Sequence, residues 1–258
     1  MSRDGAEAVE HAGGFHAVEA ALRGGRVRRL VVAEGRADGR LRRLVELAKR
    51  EGVTVDRRPR RDLDALAPGR HQGVVAELTG SGGEAGFRDE GELEDILDRA
   101  AQRRAPPLLL VLEGVTDPRN LGACLRSADG AGVDAVVVPR SRTAPLNAAA
   151  RGVASGAAEA VPVIAVANLA RTLDWLQQRG LLLVGLAGEG EAEPWSCDLR
   201  GPAALLMGSE DKGLRRLSRE ACDVLVRLPM LGTVESLNVS VAAGIALYEV
   251  VRQRADTG

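Results

Sequence analysis

Five polar side chains stand at places where the surrounding sequence does not obviously require them. Asn120 and Arg126 interrupt Asn120-Leu121-Gly122-Ala123-Cys124-Leu125-Arg126-Ser127-Ala128, a run otherwise small or apolar. Glu210 follows the apolar Leu205-Leu206-Met207 and Gly208. Ser236 and Asn238 end the segment Leu228-Pro229-Met230-Leu231-Gly232-Thr233-Val234-Glu235-Ser236-Leu237-Asn238. That segment combines apolar groups, a glycine and free backbone amides, which suits a small ligand. It also runs into a helical pattern, and helix N-termini bind carboxylates and phosphates readily.

Each residue also has a plain structural reading. Asn120 is a good N-cap. Arg126 and Asp129 are spaced for an i, i+3 surface pair, a contact worth little. Glu210 could be a turn carboxylate before Lys212, Arg215 and Arg216. Ser236 or Asn238 could cap the last helix. Arg126 is the hardest to dismiss, because it sits beside the apolar face set by Leu121, Leu125 and Ala128.

The elements that must position these residues alternate. A charged helix (92–104) precedes an apolar strand (108–112). A helix (120–131) precedes a strand (135–138). Further strands are expected at 161–166, 181–186, 203–207 and 224–228, with helices at 169–179 and 239–253. Nearly continuous apolar strands between helices predict an α/β fold with a parallel sheet covered on both faces. Ligands of such sheets collect beyond the C-terminal strand ends, and all three polar segments lie just past such ends. The G-x-G-x-x-G fingerprint is absent, which disfavours an ordinary dinucleotide site.

Residues 1–79 read as a separate small α/β unit. Phe15, Val18 and Leu22 mark one helix; Leu41, Leu44, Val45 and Ala48 mark another. Short strands are expected at 30–33, 53–55 and 74–78. Gly80-Ser81-Gly82-Gly83-Glu84-Ala85-Gly86 has the composition of a flexible linker, placed at 80–90, with a second domain over 91–258.

Composition narrows the function classes. The chain of 258 residues is 45% hydrophobic but only 2% aromatic, so its core is built from Leu, Val and Ala. Its apolar runs are too short to span a bilayer, and its first residues lack the apolar stretch of a signal peptide. Cys124, Cys197 and Cys222 fit neither a disulfide framework nor a zinc site. His11, His16 and His71 all fall in the first domain, which leaves the second without a metal centre or a Ser-His-Asp triad. A cytoplasmic, metal-free protein is the simplest expectation. Residues 23–61 hold fourteen basic and five acidic side chains, a balance of +9 in a chain of net charge −1. That segment suits RNA phosphates or is a solvated helix face.

Taken together the motifs resemble those of the SpoU (TrmH-like) RNA ribose 2′-O-methyltransferases. Thr116-Asp117-Pro118-Arg119-Asn120-Leu121-Gly122 with Arg126 looks like the first family motif. Leu206-Met207-Gly208-Ser209-Glu210 with Gly213-Leu214 looks like the second. Leu228-Pro229-Met230 with Ser236-Leu237-Asn238-Val239-Ser240-Val241-Ala242 looks like the third. Three motifs in one order are far more specific than any alone. Gly14-Phe15-His16-Ala17-Val18 and His71-Gln72-Gly73-Val74 resemble a substrate-binding domain similar to ribosomal protein L30e.

The resemblance implies a C-terminal domain with a deep trefoil knot, usually in a homodimer, and S-adenosylmethionine bound in the knot. Gly208, Leu228 and Leu237 would contact that cofactor, with Met230 and Ala187 nearby. Arg126 would sit at the reacting hydroxyl and a neighbouring phosphate. Asn120, Glu210, Ser236 and Asn238 would fix nucleotide and Arg geometry. The implied reaction is methyl transfer to the ribose 2′-OH of a guanosine in large-subunit ribosomal RNA. A tRNA, another ribosomal nucleotide (as in resistance enzymes) and a non-catalytic RNA-binding role stay as alternatives. Asp211-Lys212 and Glu235 depart from what close relatives often carry, which bears on target choice.

Overall fold

The computed structural model describes residues 11–23, 25–69, 71–78, 87–103 and 105–256. The expected linker stretch 80–86 and the first ten residues lie outside these. In chain order the first elements are β1 (His11–Gly13), α1 (Phe15–Arg23), β2 (Val27–Ala33), α2 (Gly39–Arg50), β3 (Thr54–Arg58), α3 (Arg60–Leu66) and β4 (Val74–Leu78). Then come β5 (Arg88–Asp89), α4 (Glu92–Ala101), β6 (Leu108–Leu112), α5 (Pro118–Gly130), β7 (Ala135–Pro139), α6 (Ala148–Ala154) and α7 (Ala157–Ala160). The chain ends with β8 (Val163–Val166), α8 (Leu169–Gln178), β9 (Leu182–Leu186), β10 (Ala203–Met207), α9 (Arg216–Glu220), β11 (Val224–Val226) and α10 (Val239–Ala255). Contacts group 155–160 with the part of the chain up to 86, and the remainder from 87 onward into a second compact unit.

The first unit is a four-stranded sheet in the order β1-β4-β2-β3, with β2 and β3 parallel and β4 antiparallel to both its neighbours. Helix α1 buries Phe15, Val18, Ala21 and Leu22. Helix α2 buries Leu41, Leu44 and Ala48, and is capped by Asp38, whose carboxylate accepts from Leu41 N. Helix α7 packs on α1, so 155–160 leave the otherwise continuous second domain.

The second unit is a seven-stranded parallel sheet ordered β11-β9-β10-β6-β7-β8-β5. Every residue of β6 and β10 is buried, as strands covered on both faces must be. Leu109, Val111, Leu183 and Leu206 point into a core shared with Leu93, Ile96 and Leu97 of α4 and Leu169, Leu173 and Leu176 of α8. Leu108, Leu110 and Leu112 alternate to the other face, and α10 packs on β10 and α5.

One expectation needs correcting. Glycine-rich composition ends at Gly86, and Phe87 to Glu90 are not linker. Phe87 is buried, Arg88 and Asp89 form edge strand β5 beside β8, and Arg88 pairs with Glu92 at the start of α4.

Strand register sets up the site. Met207 pairs with Leu112 on one side and Leu186 on the other, and Leu186 pairs with Val226. Four strands therefore end level, and residues 113, 187, 208 and 227 leave the sheet at one edge.

Candidate active site

Helix α5 begins earlier than its apolar periodicity suggests. Asp117 is the N-cap, accepting from Arg119 N at 2.7 Å, and Pro118 takes the first helical position, where a missing N–H costs nothing. Asn120 is thus not a cap. Its side chain reaches the other two motifs: Asn120 Nδ2 donates to Glu210 Oε1 at 3.1 Å, and Asn238 Nδ2 donates to Asn120 Oδ1 at 3.0 Å. Asn238 Nδ2 also donates to Glu210 Oε1 at 2.5 Å, and Val239 N donates to that oxygen at 3.3 Å. The Glu210 carboxylate therefore sits against the N-terminus of α10, where the helix dipole favours an anion. It is more than a turn residue.

Asn238 does cap α10, its Oδ1 accepting from Ser240 N at 3.0 Å and from the Ser240 hydroxyl at 2.6 Å. Both sides of its amide are thereby assigned: oxygen to the cap, nitrogen to Asn120 and Glu210.

The Arg126–Asp129 pair does not form. Arg126 is exposed on α5 and makes no hydrogen bond or ion pair among the described residues. It is not joined to the Asn120–Glu210–Asn238 network. Cys124, on the same helix, is fully buried. Burial, then the Glu210 charge, pushes its thiol up to about 12, so it stays protonated and is no nucleophile.

A cleft of about 350 Å³ opens beside the network, past the ends of β9, β10 and β11. Ala187, Gly208, Leu228, Met230 and Leu237, the residues expected to hold a cofactor, all line it, as do Ser236 and Glu210. Glu210 thus belongs to both the cleft and the polar network. Gly208 has a different reason to be glycine than ligand approach. A Cβ there would lie 2.0 Å from the backbone of Gly213, so the returning turn Ser209–Gly213 occupies the space.

Two charged residues past the strand ends went unnoticed in the sequence, and only the first lines the cleft. Glu189 accepts from the Arg219 guanidinium at 2.5 Å, which holds its carboxyl below the usual range. Its one signal is an acid inside the glycine-rich stretch after β9. Glu113 was missed too, though a charge directly after five apolar residues is conspicuous. Its side chain is buried and Oε2 accepts from Arg215 N at 2.9 Å. The site offers no metal: no group of three or more His, Cys, Asp or Glu among the described residues could hold one.

This arrangement can seat a ligand with an apolar flat part and a cationic centre. The walls are Leu, Met and Val, the polar partners include carboxylates, and no thiolate or imidazole is present to attack it. S-adenosylmethionine has that chemistry.

Comparison with known proteins agrees with the geometry. Residues 107–248 match the model of the SpoU rRNA Methylase family. Residues 12–81 match the RNA 2′-O ribose methyltransferase substrate binding model. The 23S rRNA (guanosine-2′-O-)-methyltransferase RlmB of Pseudomonas syringae pv. tomato is 56% identical over 243 residues, covering 93% of this chain and 94% of that protein. The RlmB of Shewanella oneidensis is 49% identical over 244 residues, 93% of this chain and 96% of that one. Among solved structures, the SpoU methyltransferase AviRb from Streptomyces viridochromogenes in complex with AdoMet is 26% identical, with a TM-score of 0.73 over 96% of this chain and 91% of that one. With its three motifs assembled at one sheet edge and matched over more than half its length, the chain belongs to the SpoU rRNA methylase family.

Proposed function

We infer that this protein transfers a methyl group from S-adenosylmethionine to the ribose 2′-OH of a guanosine in 23S ribosomal RNA. The observation that carries the reading is the Asn120–Glu210–Asn238 network at the mouth of the apolar cleft. The relatives named above, similar over nearly their whole length, support the guanosine target.

When bound, S-adenosylmethionine supplies a methyl group on a positively charged sulfur. It would supply that carbon to the ribose oxygen, leaving the electron pair of the broken bond on the sulfur. The chain's own task is to orient the ribose and polarise its hydroxyl. Arg126 has no hydrogen-bond or ion-pair partner among the described residues, and it carries five donors and no acceptor. It therefore holds the adjacent phosphate and polarises the 2′-oxygen, while the displaced proton passes to solvent water. Asn120, Glu210 and Asn238 hold one another in place, a positioning contribution. Ser236 acts from the cleft wall. Leu228, Met230 and Leu237 enclose the cofactor, with Gly208 and Ala187 at the strand ends.

The same reading takes in four finer points. Residues 1–79 bind the RNA through the basic stretch 23–61. The path from β10 past β9 to β11 and back into α10 is read as the family's trefoil knot. Two copies pair through the exposed face of α10. The protein works in the bacterial cytoplasm on large-subunit RNA during assembly; no described helix is long and apolar enough to cross a membrane.

The test is to incubate the protein with methyl-labelled S-adenosylmethionine and total RNA, then map the label. Label on the 2′-oxygen of one 23S guanosine is expected. No label in any RNA would sink the enzyme reading, and label in tRNA alone would sink the ribosomal target.

A further inference from the structure

We propose that Glu113 is a positioning residue for methyl transfer: its buried carboxylate clamps the turn that carries Glu210. The proposal rests on the methyltransferase reading of the site and adds a residue that none of the three motifs contains.

Glu113 is the first residue past β6, and its N–H donates to Met207 O at 2.8 Å. It thus sits beside the point where β10 gives way to the turn 208–215. That turn is closed on itself: Ser209 N donates to Gly213 O at 3.2 Å, Gly213 N to Ser209 O at 2.8 Å, and Lys212 N to the Ser209 hydroxyl at 3.2 Å. These bonds fix its shape. They do not fix its place, because every partner moves with the turn. Beside the burial of Leu214 in the core, a polar tether from outside acts at its far end, where Arg215 N donates to Glu113 Oε2 at 2.9 Å and the Arg215 guanidinium lies 3.8 Å from Oε1.

Glu210 rides on this turn and must meet Asn120, Asn238 and Val239 at once. Hydrogen bonds fall off steeply with distance and angle, so a small shift of the turn breaks several. A carboxylate that is 5% exposed is costly to keep unless it is well partnered. Its oxygens face Arg215 and not the cleft, and it is absent from the cleft lining. It therefore touches neither cofactor nor RNA and acts through Glu210.

The test compares Glu113→Ala, Glu113→Gln and Glu113→Asp in the full-length protein, by amide hydrogen exchange and by single-turnover methylation. Gln still offers an oxygen to Arg215 N; Asp keeps the charge but falls one methylene short. Faster exchange confined to residues 209–215 is expected for the Ala and Asp variants, with Gln close to wild type. The methylation rate should fall about 10²-fold for Ala, the scale of a site misplaced by an ångström, and RNA affinity should hold. In a Glu210→Ala background the Glu113→Ala step should cost little more. Undiminished loss in that background, or unchanged exchange in both Ala and Asp variants, overturns the proposal. If Glu113→Ala fails to fold, the Asp variant decides by the same criteria. Absence of methylation by the wild-type protein would instead strike the site reading, and the exchange comparison would still decide whether Glu113 holds the turn.

Discussion

Arg126 and Asn120 lie on the same helix yet stand in opposite relations to the fold. Asn120 is tied to residues 90 and 118 positions away. Arg126 is exposed and tied to nothing among the described residues. A long cation left unpartnered on a helix that is otherwise packed is available to a substrate anion. Arg126→Ala should therefore leave folding stability within about 0.5 kcal/mol, as surface substitutions do. It should leave cofactor affinity intact by calorimetry and lower single-turnover methylation by at least about 10²-fold, the scale of losing one preorganised donor. Arg126→Lys should recover only part of that rate, because an ammonium cannot reproduce the planar fork. Loss of cofactor affinity in the Ala variant would move Arg126 to the cofactor side of the site and defeat the assignment. Asn120→Ala should behave differently, since it also strips partners from Glu210 and Asn238.

Among the described helices and strands, α10 carries the most exposed large hydrophobic residues. Val239, Ala243, Ala246, Leu247 and Val250 are buried on its inner face, while Val241, Ile245 and Tyr248 are 49%, 42% and 54% exposed at helical spacing on its outer one. A continuous apolar stripe on a surface helix marks a contact surface. Sedimentation should therefore find twice the chain mass for the wild type and the single-chain mass for Ile245→Arg, with circular dichroism unchanged. A wild-type protein sedimenting as one chain would end the pairing assignment. Elements like this one were readable from sequence because their apolar residues repeat. Strand β10, a bare run of Ala-Ala-Leu-Leu-Met, was read to the residue. Helix α6 was not, since Ala-Ala-Ala-Arg-Gly-Val-Ala has no apolar period and helix α5 supplies its partner surface. Gly122 makes that contact possible: a Cβ there would lie 2.3 Å from Ala150 O. The start of α5 was misplaced because Asp-Pro signals a turn as well as an N-cap followed by a first-turn proline. The site residues were named through a resemblance. Only the level ends of β6, β9, β10 and β11 supply the physical reason they meet, and a register that pairs Leu112 with Met207 leaves no local trace in sequence.

Across the whole molecule, charge is unevenly shared, but the excess of +9 in residues 23–61 overstates what is free for RNA. Arg29 is committed to the fold: its guanidinium grips Glu77 at 3.0 and 2.7 Å and reaches Asp56 at 3.2 Å. Arg36 bonds Asp38 and Gln72 O and, with Arg40, covers the Phe15 ring at 4.8 and 4.7 Å. Arg43 and Arg50 are exposed, make no ion pair among the described residues, and line a groove of about 440 Å³ between α1 and α2 together with Arg23 and Arg40. These are the side chains that should meet phosphates. Neutralised phosphates release counterions, and each one lost lowers the slope of log affinity against log salt by about 0.7 to 0.9. Arg43→Glu with Arg50→Glu should therefore weaken RNA binding and flatten that slope by at least about 1.4, two lost contacts at the lower figure, while leaving the melting temperature close to wild type. Arg29→Gln should do the reverse, lowering the melting temperature by stranding the buried Glu77 and leaving the salt slope alone. Equal slopes for the double variant and the wild type would mean that the groove is a solvated helix face, and that the RNA is held by other parts of the chain.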